Sequence, residues 1–273
     1  MTRALALLSL ITLLPLFAAE SAMAKIKTEI VEYQVDGQKF QGFLSYDDAD
    51  DRARPGVVVF PEWWGCNDYA RTRAEMLAAM GYIAFAADMY GQGRTTSDAK
   101  QAGAWAGEVF GDNAALRRRA AAALQQLAGH KLADRARLAA IGYCMGGTVA
   151  MELARSGADL KAVVAFHASN FAGKDAAANK DIKAVVMICH GAEDDFVKPE
   201  EIPNFHAFMK EAGKRFIFIS YSGAVHAFTN PNADKANIPS VKYNADADRR
   251  SWRHMRDLFE EVFAPERPKA GRP

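Results

Sequence analysis

A chain of 273 residues, half of them hydrophobic and a quarter charged, carries enough apolar material to bury a core, and it lacks the repeated long uncharged runs of a multi-pass membrane protein. The 34 cationic side chains against 33 anionic ones leave a formal charge of +1, which excludes the broad basic field that a nucleic-acid backbone or an anionic membrane would need.

Residues 1–24, MTRALALLSLITLLPLFAAESAMA, begin with one cation, Arg3, run apolar from Ala4 to Ala19 and end on Ala22-Met23-Ala24. A charged start, a short apolar stretch and an A-x-A ending form the pattern of a cleavable export signal, and the run is short for a bilayer-spanning anchor. Cleavage after Ala24 takes 24 residues from 273 and leaves 249, which points to export, most simply to a bacterial periplasm or to secretion. All three cysteines, Cys66, Cys144 and Cys189, lie in the mature part, so an oxidising compartment leaves at least one without an intramolecular partner. If Cys66 pairs with Cys189, the odd thiol is Cys144.

From Thr28 to Tyr46, apolar residues alternate on either side of Asp36-Gly37, which predicts a β-hairpin. Gly56 to Phe60 is a continuous apolar run, the pattern of a strand buried on both faces. Similar runs recur at Tyr82 to Ala87, Arg137 to Gly142, Ala162 to Phe166, Ala184 to Cys189 and Phe216 to Tyr221. Between them, helices are predicted over Asp68 to Met80, Thr96 to Leu127 with a break near Gly111, Gly146 to Ser156, Glu200 to Ala212 and Ala245 to Phe263. This alternation predicts an α/β fold with a mostly parallel, doubly wound sheet preceded by an antiparallel hairpin, in a single domain over residues 25–263. Thr229 to Arg250 is long for a loop and reads either as a surface excursion or as a pocket wall. Residues 264–273 read as a solvated tail.

The strand ending at Gly142 runs into Tyr143-Cys144-Met145-Gly146-Gly147, which opens a helix. This is a nucleophile-elbow pattern with cysteine in the serine position: a sharp turn lifts the central side chain above the sheet, and the helix N-terminus favours a thiolate. A small buried cysteine in a glycine-rich turn would read the same way, so its company decides. A triad on such a sheet takes its acid after a later strand and its histidine after the last. Glu193, Asp194 and Asp195 follow the run ending at Cys189, and His226 follows the run ending at Tyr221. All these groups belong at the carboxyl edge of the strands, where open α/β sheets bind ligands. His226 is the candidate base and Asp194 its orienting acid, with Glu193 and Asp195 as rivals for that position. His167 and His190, at strand ends, read as core or supporting groups.

With these motifs in view, the chain resembles the dienelactone hydrolase (carboxymethylenebutenolidase-like) family of α/β-hydrolases, over roughly Val31 to Phe263. The resemblance is carried by Pro61-Glu62-Trp63-Trp64-Gly65, Ala87-Asp88-Met89-Tyr90, Gly142 to Gly147, Asp194-Asp195-Phe196-Val197 and His226-Ala227-Phe228, each at the end of a predicted strand. It implies a Cys144–His226–Asp194 triad and selects Asp194 over its neighbours. It also implies that Glu62 meets the resting thiol and is displaced by substrate. A buried glutamate needs a partner, so one is expected here. The oxyanion hole would use the backbone N–H groups of Trp63 and Met145. Trp64, Tyr90, Arg94 and Phe228 are candidate substrate contacts.

The sequence departs from the family where its type members hold a substrate carboxylate with two arginines. Arg94 is displaced by a couple of positions after Tyr90, and Asn230 stands where the second arginine is expected. Asparagine cannot reproduce bidentate guanidinium geometry, so dienelactone itself is a poor fit while ester or lactone hydrolysis is not. The expectation is therefore an exported hydrolase that cleaves a small carboxylic ester or lactone through a thioester on Cys144. It needs no cofactor or metal, has no nucleic-acid partner, is free of the membrane once the signal is removed, and is a monomer or weak dimer. The competing readings are a non-catalytic small-ligand-binding protein on the same fold and a cysteine acyltransferase or thioesterase.

Overall fold

The computed structural model describes residues 25–49 and 51–264. The predicted export signal at 1–24 and the tail from 265 onward lie outside the described residues.

The chain begins with β1 (Ile26–Val35) and β2 (Gln38–Asp47), an antiparallel pair in which Val35 faces Gln38. Asp36 and Gly37 close the hairpin, both at positive φ (50° and 78°), as a two-residue turn matching the twist of the strands requires. β3 (Arg54–Phe60), α1 (Asp68–Ala79), β4 (Ile83–Ala86), α2 (Ala99–Gly111), α3 (Asn113–Gly129), β5 (Ala133–Tyr143) and α4 (Met145–Arg155) follow. β6 (Ala162–Phe166), β7 (Val185–Gly191), α5 (Glu201–Glu211), β8 (Phe216–Tyr221) and α6 (Ala245–Phe263) complete the fold. The eight strands form one sheet in the order β1-β2-β4-β3-β5-β6-β7-β8. β2 pairs antiparallel with β4, and every pairing from β4 to β8 is parallel.

The continuous apolar runs follow from burial on both faces. Val57 and Val59 point to one side of β3, against Ala70, Ala74 and Leu77 of α1 and Phe259 and Phe263 of α6. Val58 and Phe60 point to the other side, into the core under α3, α4 and α5 with Leu127, Val149 and Phe205. The predicted helix over Thr96 to Leu127 is two helices. Asp112, extended at φ −130°, ends α2, and its carboxylate accepts from Ala115 N at 2.9 Å to cap α3. The predicted strand Ala184 to Cys189 extends to Gly191 and so carries His190 with it.

Cys66 and Cys189 are both buried free thiols. Cys66 bonds to the Ala86 carbonyl at the end of β4, whereas Cys189 is on β7, and β3, β5 and β6 lie between these strands. Four strand spacings amount to roughly 19 Å, well beyond the ~7 Å Cα limit for a disulfide, so the conditional pairing of Cys66 with Cys189 is not made.

Candidate active site

All the parallel strands end at one edge, and the turns leaving β3, β5, β7 and β8 build the site. At the elbow, β5 stops at Tyr143 and α4 starts at Met145, so Cys144 makes the whole turn at φ 54°, ψ −120°. A side chain on Gly142 would fall 1.9 Å from the Gly146 carbonyl oxygen, and one on Gly146 would fall 2.2 Å from that of Phe60. Only glycine lets α4 start this close to the sheet. Among the described residues, three of the seven non-glycine residues at positive φ are Cys144, His167 and Ala227, all in this edge. Such conformations cost about 1–3 kcal/mol each and persist only where packing enforces them.

The enforcing contacts are specific. The Cys144 N–H is shared between the Phe166 carbonyl at 3.0 Å and His167 Nδ1 at 3.1 Å. Since Nδ1 accepts, the proton of this imidazole is on Nε2, which donates to Thr229 Oγ1 at 2.7 Å. Burial, then the neighbouring His226 and Arg73 charges, hold the His167 pKa well below the ordinary histidine range, so the ring is neutral.

Asp194 follows β7 in a turn closed by its N–H on Gly191 O at 3.1 Å. Its Oδ2 accepts from His226 Nδ1 at 2.8 Å, and its side chain is fully buried. The adjacent acids point elsewhere, Glu193 accepting from Gly223 N at 2.9 Å and Asp195 from Ser240 Oγ at 3.2 Å. Burial disfavours a charged His226, but the Cys144 sulfur beside it, as a charge and a hydrogen-bond partner, together with Asp194, raises its pKa to about 10. The structure thus brings Cys144, His226 and Asp194 together in the order that proton transfer from thiol to imidazole needs.

Glu62 opens the turn that follows β3 and is buried to 3% exposure. The resemblance implies that Glu62 meets the resting Cys144 thiol, but its hydrogen-bond partner is Asn230, whose Nδ2 donates to Oε2 at 2.6 Å, while Oε1 is buried without a hydrogen bond. Burial raises the carboxyl pKa to about 7 against the lowering effect of the Asn230 bond. Behind this pair, the buried guanidinium of Arg73 donates to the Thr229 carbonyl and to Asp248 at 2.7 Å and lies over the rings of Tyr69, Tyr143 and Trp252. It therefore pins the loop that presents Asn230. Sequence reasoning noticed Asn230 only as an absent arginine, and Arg73, in mid-helix on α1, carries no local signal at all.

Gly65 N donates to Glu62 O, so Trp63 occupies the first corner of a turn whose closure leaves its own N–H free. Met145 is the first residue of α4, and its N–H has no acceptor within the helix. Both residues, with Cys144, Glu62 and His226, line a cavity of about 170 Å³. Trp64 lines it too. Tyr90, Arg94 and Phe228 do not: the Tyr90 hydroxyl props the turn by donating to Trp63 O at 2.8 Å, and Phe228 packs against His167 in the core. Arg94 bonds to the carbonyls of Tyr90 and Gly91 and stacks over Trp105 at 4.9 Å. The loop beyond Thr229 is a pocket wall, contributing Ile238 and Val241 and joining the site through a His226–Val241 bridge. Among the described residues no group of His, Cys, Asp or Glu is arranged to hold a metal ion, and no helix is long and apolar enough to cross a membrane.

The profile of the dienelactone hydrolase family matches residues 40–263 of this chain. A protein of Methylorubrum extorquens assigned as a carboxymethylenebutenolidase is 28% identical over 75% of this chain and 71% of its own. Protein usf of Aquifex pyrophilus is 27% identical over 77% of this chain and 91% of its own. Among solved structures, m3DLH superposes with a TM-score of 0.84 at 42% identity, covering 87% of this chain and 98% of the other. A dienelactone hydrolase-like promiscuous phosphotriesterase, P91 from metagenomic libraries, gives the same TM-score of 0.84 and the same coverage at 38% identity.

Proposed function

The chain belongs to the dienelactone hydrolase family, whose activity is the hydrolysis of carboxylic esters, and from that premise we propose that it cleaves a small ester or lactone through a thioester on Cys144. The observation that carries this reading is the placement of Cys144 beside His226, itself bonded to the buried Asp194 at 2.8 Å.

In this mechanism the Cys144 thiolate attacks the substrate carbonyl carbon, and the tetrahedral oxyanion accepts hydrogen bonds from the N–H groups of Trp63 and Met145. His226 gives its proton to the leaving oxygen as the C–O bond breaks, leaving the acyl group on sulfur. Water then adds to the thioester, its proton going to His226, and the C–S bond breaks to release the acid and regenerate the thiolate. Asp194 keeps the imidazole proton on Nδ1 and stabilises the cation. Glu62, with a pKa near 7 and one oxygen unpaired, is suited to exchange a proton with the thiol in the resting site.

The test is turnover of p-nitrophenyl acetate and a small lactone panel, with intact-mass analysis of the stalled enzyme. Cys144→Ala should abolish turnover, and wild-type protein should carry an acyl adduct on Cys144. Unchanged turnover in the variant would refute the assignment. Because one structural relative is named a phosphotriesterase, a neutral phosphotriester belongs in the panel.

A further inference from the structure

The mechanism proposed above fixes which side of the cavity receives each half of an ester. His226 must reach the leaving oxygen, so the alcohol departs on the His226 side. That side is walled by Phe196, whose ring lies 4.7 Å from the imidazole, and by Ile238 and Val241 on the loop bridged to His226. The rest of the apolar lining, Trp63 with the α2 residues Ala106 and Phe110, is then left for the acyl chain. Both walls are apolar.

No lysine or arginine lines the cavity, and the His226 imidazole in it is bonded to Asp194 and lies beside Cys144. Arg94 is turned onto Trp105 and two carbonyls, and Arg73 is held by Thr229 O and Asp248. The Asn230 amide is engaged by Glu62. What the cavity offers instead is the buried carboxyl of Glu62, which turns anionic, and so repels a carboxylate, as pH rises through about 7. The large hydrophobic side chains exposed among the described residues are Ile30, Phe110 and Phe196, at 59%, 42% and 49%. Two of these three, Phe110 and Phe196, line this cavity. Apolar groups gathered around a concave site mark a ligand that covers them.

Resting on the hydrolase reading, the structure assigns to this site a neutral ester with an apolar acyl chain of medium length, seated on α2, and excludes esters that carry a carboxylate in the acyl half. The cavity of about 170 Å³ accepts the carbonyl and the first few carbons, and the remainder of the chain extends over Phe110.

Initial-rate kinetics on p-nitrophenyl acetate, butyrate and hexanoate and on mono-p-nitrophenyl succinate test this directly. In wild type, kcat/KM should rise ~10-fold from acetate to hexanoate as methylenes leave water. Butyrate should exceed the succinate monoester, which matches it in length but ends in a carboxylate, by ~100-fold, because the charge enters an apolar acyl wall that carries no lysine or arginine. Phe110→Ser should cut the hexanoate-to-acetate ratio ~3-fold or more by removing half of the acyl wall. Ala106→Lys, at a partly exposed position of α2 in the cavity lining, should narrow the butyrate-to-succinate ratio by supplying a cation to the acyl wall. A flat acyl series, or a succinate monoester used as well as butyrate, would overturn the inference while leaving ester hydrolysis standing. No turnover on any of the four esters would overturn both.

Discussion

Glu62 has one hydrogen bond, from Asn230, and one buried oxygen with none, so its charged form is poorly supported in the folded state. Its pKa is about 7 when folded against an ordinary 4.5, so between those values the native protein holds a proton that the unfolded chain has released. Stability therefore falls as pH rises through this window, by roughly 3 kcal/mol in all. Glu62→Gln removes that dependence. In urea titrations at pH 4.5 and pH 8, the stability of the variant relative to wild type should increase by roughly 3 kcal/mol toward the higher pH. A difference that stays constant with pH would mean that Glu62 is already ionised at pH 4.5. The need for a partner was legible in the sequence, because a buried carboxylate is costly wherever it occurs. The identity of that partner was not. Asn230 is 168 residues away along the chain, and nothing about its neighbours in sequence marks its amide as the one that turns inward.

The elbow between β5 and α4 is the element on which the site depends, and its glycines are required by backbone proximity. Gly142→Ala would set a methyl 1.9 Å from the Gly146 carbonyl oxygen, which neither a strand end nor a helix start can move aside. Overpacking against backbone costs at least the ~1–3 kcal/mol of an overfilled core, here added to a turn that is already strained. The urea midpoint of Gly142→Ala should fall by at least that equivalent or the protein should fail to fold, and a midpoint equal to wild type would refute the account. Other elements were readable from pattern alone. The Asp36-Gly37 turn, the two-faced apolar strands and the stripe of Ala247, Ser251, Met255 and Phe259 on α6 each follow from a local period. The separation of α2 from α3 was foreseen near Gly111, although the residue that makes it is Asp112, through its side-chain cap. What no period could reveal was that α2 brings Ala106 and Phe110 into the cavity that Cys144 lines. That depends on the packing of α2 against Trp63 and Tyr90, residues of other segments.

At the scale of the whole molecule, the parallel sheet gathers the ends of β3, β5, β7 and β8 at one edge, so residues from 62 to 226 share one cavity. It also keeps the cysteines apart. Cys66 and Cys189 are buried, and burial raises both thiols well above the ordinary cysteine range, whereas Cys144 is partly exposed. We propose that the protein is exported after removal of residues 1–24, and that it matures without a disulfide. Mass spectrometry of the exported protein should read a chain starting at Lys25, with one thiol alkylated in the native state and all three after denaturation. A second thiol labelled at the same rate, or a disulfide, would contradict this arrangement. The sequence by itself determined the element types and the placement of Cys144, Asp194 and His226, in that chain order, at strand ends, because local periodicity and short motifs govern these. Only the tertiary structure decided that Arg94 turns to Trp105, that Asn230 engages Glu62 and that the cavity has apolar walls on both sides. The direction of a side chain is set by whatever distant segment packs beside it, and that information resides in the assembled fold.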